Sequence, residues 1–407
     1  MTLDVARAES IHLAVADRRA EMVRLLTAFC SLPAENPPGS FLDQSQDWIE
    51  STLTAYGVAS QRYDTSRSGG DHRVIVGSIG EAGPIVYLHG HYDVVPAFRH
   101  EQFAPEVRDG AVFGRGASDM KGGLVAMLTA ALVHRDLGGT GQVRLVYVPD
   151  EETGGANGSE RMQELGLIDA ENCVGAIVGE PSFPEMWYAA RGAFTIKVTV
   201  YGRPAHVGLH YTGDNAVEHG HRLIGELLRY RDRITQHRTR FAITPEPARN
   251  SIMLIGGVVS GGINFNIVPD SFSFTIDRRP NPDEDYAKAK QELLDLLHTF
   301  GNDHEMTVEV LQDVLPASTD ENSALIRTLR EAARTASGRQ VPVSMCPGCL
   351  ETRIYSQLGI PTAAFGPGPF SEMHGPDEHV PIDNLVESAA TYAVTLAELL
   401  GTRQGDS

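Results

Sequence analysis

The chain has 407 residues, 42% hydrophobic and 21% charged, the proportions of a globular protein and not of a disordered one. Its formal charge of -19 repels nucleic-acid phosphates and anionic lipid heads, which disfavours both as partners, while excess carboxylate suits divalent cations. The length favours two domains, or one domain carrying an insertion.

The run MTLDVARAESIHLAVADRRAEMVRLL has acids among its first residues and no uninterrupted apolar core. It reads as neither a signal peptide nor a membrane span, which points to the cytoplasm. Helical periodicity follows near 12–32 and 43–56, strands near 72–79 and 84–89, a helix from Lys121 to about Arg135, and strands near 142–149 and 174–179. This alternation predicts an α/β fold, a mixed, mostly parallel sheet flanked by helices. From about 190 the pattern changes. AFTIKVTVY reads as a strand, 214–233 as a helix, SIMLIGGVV and SFSFTIDRR as two strands, 282–299 as a helix and TVEVLQ as a strand. That βαββαβ order is a ferredoxin-like α+β unit. The first pattern then resumes, with a helix near 321–337, a strand at VPVSM, a short helix near 351–358, a strand at PTAAF and a closing helix from about 384. The predicted division is a catalytic domain over 1–189 and 312–407 interrupted by an inserted domain over 190–311.

Segments that end apolar strands carry the chemistry. GHYDVV supplies His91 and Asp93, with His89 two residues earlier on the same strand face. GRGASDMKGG supplies Asp119 before a helix, VYVPDEETGG supplies Glu151 and Glu152, AIVGEPS supplies Glu180, and EMHGPDEHVP supplies His374. A single acid after a strand is usually a helix cap or a loop residue. Five such groups converging on the carboxyl edge of an open sheet, where ligands bind, form a mixed N/O set suited to zinc, manganese or cobalt. There are enough of them for two ions sharing a carboxylate. On an extended segment Glu151 and Glu152 point in opposite directions, so one binds metal while the other takes a proton from water. The four cysteines make no disulfide framework. Cys30 and Cys173 read as core, and the CPGC of Cys346 and Cys349 lacks the second pair a structural zinc needs.

Taken in order, GHYDVVP, GRGASDMKGG, DEETGG, GEPS and HGPDEHV resemble the dinuclear zinc aminoacylase and carboxypeptidase family that contains acetylornithine deacetylase, succinyl-diaminopimelate desuccinylase, aminoacylase and bacterial glutamate carboxypeptidase. The resemblance runs from about residue 20 to the closing helix. It implies a zinc exopeptidase-like catalytic domain with an inserted dimerisation and lid domain. It also implies two zinc ions, replaceable by cobalt or manganese, with Asp119 bridging them, His91 and Glu180 completing one site and Glu152 and His374 the other. Asp93 would orient His91, Glu151 would be the general base, and His89 would be structural. A cis peptide is implied between Asp119 and Met120. In the inserted domain His206 of YGRPAHVG would reach the partner subunit's site of a homodimer and stabilise the oxyanion. Asn266 of NFNIVPD and Arg279 of TIDRR, in preference to Arg278, would hold the substrate carboxylate. Two segments bordering the substrate pocket depart from many relatives: FRHEQFAPEV, and GCLETRIY with Glu351 ahead of Arg353, which is a third candidate for binding the substrate.

The expected function is metal-dependent hydrolysis of the amide bond of an N-acyl amino acid by a metal-bridging hydroxide. A dipeptidase or glutamate-type carboxypeptidase using the same chemistry is the alternative, and a non-catalytic binding protein on this fold a remote one. No Gly-x-Ser-x-Gly elbow or Walker loop is present.

Overall fold

The structure is a computed structural model, and it describes residues 5–67 and 69–402. The chain divides into two compact units, one of Met1–Tyr188, Ser318–Ser344 and Glu351–Ser407, the other of Ala189–Ala317 and Met345–Leu350.

A nine-stranded sheet organises the first unit. At its centre Ile85–His91 pairs in parallel with Gln142–Val148 on one side and Cys173–Val178 on the other, and the latter pairs in parallel with Thr362–Ala364. Antiparallel strands flank this centre, Arg73–Ile79 and Ala59–Asp64 beyond Gln142–Val148, and Met186–Ala190 beyond Thr362–Ala364. The sequence reading passes over Ala59–Asp64 because ASQRYD has no apolar run; its positions are exposed or half-buried, as an edge strand permits.

Ile85–His91 is buried along its whole length because both sheet faces are covered. Ile85 and Tyr87 pack with Met162, Ile354 and Tyr355 on one face. Helices Gly122–Asp136 and Ile382–Leu400 lie against the other, and Gly122–Asp136 is itself buried on all sides as far as His134. Each large apolar side chain buried this way contributes about 1.5–3 kcal/mol. The predicted helix over 12–32 is two helices, Val5–Ala16 and Arg19–Cys30. They part at Arg18, whose guanidinium is held by Glu21 and Asp136. No helix among the described residues is long and apolar enough to cross a membrane.

The second unit is an antiparallel sheet in the order Ile252–Gly261, Ser271–Arg279, Ala193–Tyr201, Met306–Val314. Helices Ala216–Ile234 and Tyr286–Gly301 pack on the face that carries Ile196, Val198, Phe274 and Ile276. Leu223, Leu227, Tyr230 and Ile234 recur at helical spacing and form the buried stripe of the first helix, whose start Asn215 caps through the amide of Val217. The unit runs past the predicted boundary at 311 to Ala317, because its last strand continues to Val314 with Asp313 paired to Phe194. It also takes in 345–350, where the backbone amide of Met345 donates to the Ala242 carbonyl.

Candidate metal centre

All the clustered acids and histidines except Asp119 follow the carboxyl ends of central strands. His91 closes Ile85–His91, Glu151 and Glu152 follow Gln142–Val148, Glu180 follows Cys173–Val178, and His374 lies in the loop after Thr362–Ala364. Asp119 occupies a wide irregular turn, Ala117–Lys121, in which it leaves helical dihedral angles and forms a cis peptide with Met120. Glycines permit this convergence. A Cβ on Gly123 would sit 2.4 Å from the carbonyl oxygen of Gly179, so only glycine lets the turn and its helix approach the strand end that carries Glu180. Asp150 (φ 74°) and His374 (φ 60°) adopt left-handed backbone conformations, which Asp and His tolerate better than most side chains.

Asp119 is the hub. Its Oδ1 lies 3.1 Å from His91 Nε2 and its Oδ2 3.1 Å from His374 Nε2, and His374 Nε2 is 3.1 Å from Glu152 Oε2. His91, Asp119 and Glu152 each offer a ligand atom within 4.8 Å of the others. Glu180 is buried beside them, and its Oε1 has no hydrogen-bond partner.

The electrostatics are those of a dense anionic cluster. Burial alone would raise Asp119, but hydrogen bonds from His374 and His91 hold its carboxyl well below the usual carboxylate range. Hydrogen bonds to Asp119 and Glu152 raise exposed His374 to about 10. Desolvation, with the Asp119 charge added, pushes Glu180 up to about 8. Desolvation and then Glu180 drive Glu151 well above its ordinary value. Excess negative charge collected in a desolvated recess is compensated most directly by cations.

Several side chains hold the cluster in place. Asp93, expected to orient His91, does so partly through its backbone: His91 Nδ1 is 3.0 Å from the Asp93 carbonyl and 3.4 Å from its Oδ1. The Asp93 carboxylate instead accepts the backbone amides of Glu151 and Glu152, each at 3.3 Å. The dyad does not sit on an extended segment, as its sequence implied, but on a single 3₁₀ turn, Glu151–Thr153. The turn separates the two carboxylates all the same: Glu152 faces His374, whereas no hydrogen bond among the described residues engages the Glu151 carboxylate. Glu378 was missed. Its Oε1 accepts the backbone amides of Ser118 and Asp119 at 3.0 Å and its Oε2 pairs with Arg115, with both side chains buried. Only its place four residues after His374 in HGPDEH hinted at it. His89 stands apart from the cluster, its Nε2 2.7 Å from Glu351 Oε2 and its Nδ1 2.9 Å from Tyr355 Oη. Arg353 is buried and donates to the Gly154 carbonyl at 3.0 Å and to Glu160 at 3.3 Å, which places it behind the turn that carries Glu151.

The remaining candidates belong to the second unit. His206 is exposed, and its Nδ1 accepts from the Gly208 amide at 3.1 Å. Asn266 is joined to it through the backbone, its carbonyl accepting from the Val207 amide. Arg279 is half-buried; Asp277 holds its Nε at 2.9 Å, and its Nη1 lies 3.2 Å from Cys349 Sγ. Arg278 is fully buried and pairs with Glu284, which makes it structural. None of the four cysteines forms a disulfide among the described residues.

Two imidazoles and three carboxylates, one bearing a buried oxygen with no protein partner, fit zinc, manganese or cobalt, and contain too much nitrogen for calcium or magnesium. A half-buried acid, Glu151, precedes Glu152 on the same turn. A sheet edge built in this way defines a metal-dependent hydrolase. The chain belongs to peptidase family M20/M25/M40, whose sequence pattern matches residues 87–398. It is 24% identical over 402 residues to a probable succinyl-diaminopimelate desuccinylase of Staphylococcus aureus, covering 92% of this chain and 98% of that one. A dipeptidase of Saccharomyces cerevisiae shares the fold with a TM-score of 0.77 at 16% identity, over 96% of this chain and 98% of the other. A dinuclear metal-binding peptidase of Bacillus subtilis does so with a TM-score of 0.66 at 14% identity, over 95% and 100%.

Proposed function

We propose that the protein hydrolyses the amide bond of N-acyl amino acids with two divalent metal ions, zinc in the first instance. His91, Asp119 and Glu180 would hold one ion, and Asp119, Glu152 and His374 the other. The observation that carries this reading is Asp119 presenting one oxygen to each of two histidines, with Glu152 and the unpartnered oxygen of Glu180 alongside. Bound divalent ions supply an acidified water and a Lewis acid for the scissile carbonyl.

The chain's own residues supply the rest. Glu151 takes the proton of the attacking water and returns it to the departing amine; burial, and then the neighbouring Glu180 charge, raise its affinity for that proton. Because His206 Nδ1 accepts from Gly208, the ring proton of the neutral imidazole resides on Nε2, the arrangement of an oxyanion donor. Arg279, braced by Asp277, and Asn266 bind the substrate carboxylate. We place His206 in the active site of the partner subunit of a cytoplasmic homodimer, joined through the edges of the second unit's sheet. The test is a matrix of acetyl, succinyl and formyl amino acids, N-succinyl dicarboxylic amino acids first, assayed with zinc, cobalt and manganese. The likeness to a dipeptidase fold makes dipeptides the second arm. Absence of metal-dependent amide hydrolysis across both arms would overturn the proposal.

A further inference from the structure

Asn36 stands in the segment that follows the second helix, far in sequence from every motif that carries the chemistry. It is buried, and its backbone amide donates to the Val94 carbonyl at 2.8 Å while the Val94 amide donates to Ala34 at 2.9 Å, a short ladder that fixes the segment against the residues just past His91. Its side-chain Nδ2 lies 3.1 Å from Asp93 Oδ2, 3.0 Å from Asp150 Oδ1 and 3.3 Å from Thr153 Oγ1. A primary amide has two N–H bonds, so it is shared among three acceptors, two of them buried carboxylates.

These two carboxylates frame the catalytic turn. Asp93 receives the backbone amides of Glu151 and Glu152, and Asp150 receives Thr153 Oγ1 at the end of the turn and the Asn157 amide, at 2.7 Å, where the loop closes. Asn36 touches both. Without a shared neutral donor, Asp93 and Asp150 would face each other as like charges in a dry environment, and the turn between them would lose its fixed height above the sheet.

We propose that Asn36 is a positioning residue for the Glu151–Glu152 turn: it holds Asp93 and Asp150 at the separation that sets the general base and the neighbouring metal-binding carboxylate. The positioning claim rests on the function proposed above only for its kinetic readout, since the turn's rigidity can be measured with no substrate. A displacement of roughly 1 Å in a catalytic group costs on the order of a hundredfold in rate, and that sets the expected effect.

The experiment compares wild type, Asn36→Asp and Asn36→Ala by residue-resolved amide hydrogen exchange, zinc retention against a competing chelator, and steady-state kinetics on the best substrate of the matrix. Asn36→Asp keeps the shape and replaces the donor with a third carboxylate; Asn36→Ala only deletes the amide and carries the test if the charged variant does not fold. The expected result is at least tenfold faster exchange at Glu151 and Glu152 with unchanged protection in Gln142–Val148. Zinc should be lost at lower chelator concentration, and kcat should fall about a hundredfold with KM within threefold. Wild-type exchange at Glu151 and Glu152 in Asn36→Ala would overturn the proposal. So would loss of protection throughout Gln142–Val148 in that variant, because the side chain would then support the fold and not the turn. If the wild type hydrolyses nothing, the function reading falls while exchange and zinc retention still decide the role of Asn36.

Discussion

Glu378 offers the sharpest test of how the centre is held. Its carboxylate faces the Arg115 guanidinium on one side and the amides of Ser118 and Asp119 on the other, and both charged side chains are about 1% exposed. Burial raises the Glu378 carboxyl, and the Arg115 guanidinium works against that rise. Glu378→Gln keeps an oxygen for the two amides but leaves Arg115 buried without a counter-charge, a loss of about 3–5 kcal/mol. Glu378→Ala also orphans the two amides, at about 1–3 kcal/mol each. Removing both charges in Arg115→Met with Glu378→Gln should recover part of the loss, because no unpaired ion remains. The assay is native-state hydrogen exchange in Ile85–His91, which reports opening of the first unit alone and so avoids treating a two-unit protein as a single transition. The expected order of stability is wild type, the double variant, Glu378→Gln, Glu378→Ala. A Glu378→Gln protein within 1 kcal/mol of wild type, or a double variant less stable than Glu378→Gln, would refute the reasoning.

Glu151→Gln should lower kcat by about 10²–10⁴-fold while metal content, read by elemental analysis, stays at the wild-type level. Glu180→Ala should lower the bound metal by one equivalent in native mass spectrometry, whereas Arg278→Ala should leave the metal content intact and destabilise the second unit through the unpaired Glu284. Dialysis against a chelator should abolish hydrolysis, and zinc, cobalt or manganese should restore it. His134 gives a pH test remote from the centre. Its Nε2 is 3.0 Å from the Thr140 carbonyl, its Nδ1 is buried without a partner, and desolvation lowers its pKa below 6.5. The unfolded chain therefore binds the proton more readily, so the stability contributed by the neutral ring is complete above about pH 6.5 and is lost as pH falls below it. The stability difference between wild type and His134→Gln should shrink over that range and remain constant above it.

The acids and histidines that cluster were legible in the sequence because most of them sit where a local signal ends. For His91, Glu151, Glu152 and Glu180 an apolar strand stops and the acid or histidine lies at its end or within a few positions, and parallel pairing brings those ends together. Asp119 instead precedes a helix, and His374 lies farther along its loop. The βαββαβ order was legible for the same reason, since Leu223, Leu227 and Tyr230 repeat at helical spacing and Ile196 and Val198 at strand spacing. The groups that hold the ligands carry no such mark. Glu378 reads as one more acid in a loop, and Asn36 as a turn residue before Pro37, because nothing local says that its amide will meet Asp93 and Asp150, 57 and 114 residues away. The 3₁₀ turn of Glu151–Thr153 was misread as extended because DEETGG lacks the apolar spacing that betrays a turn of helix, and its conformation is imposed by Asp93, just past the end of the neighbouring strand Ile85–His91. The chemistry therefore sits at the ends of local structure and its precision in long-range hydrogen bonds. Substitutions in the first group should remove metal or turnover outright, and substitutions in the second should leave both present but displaced.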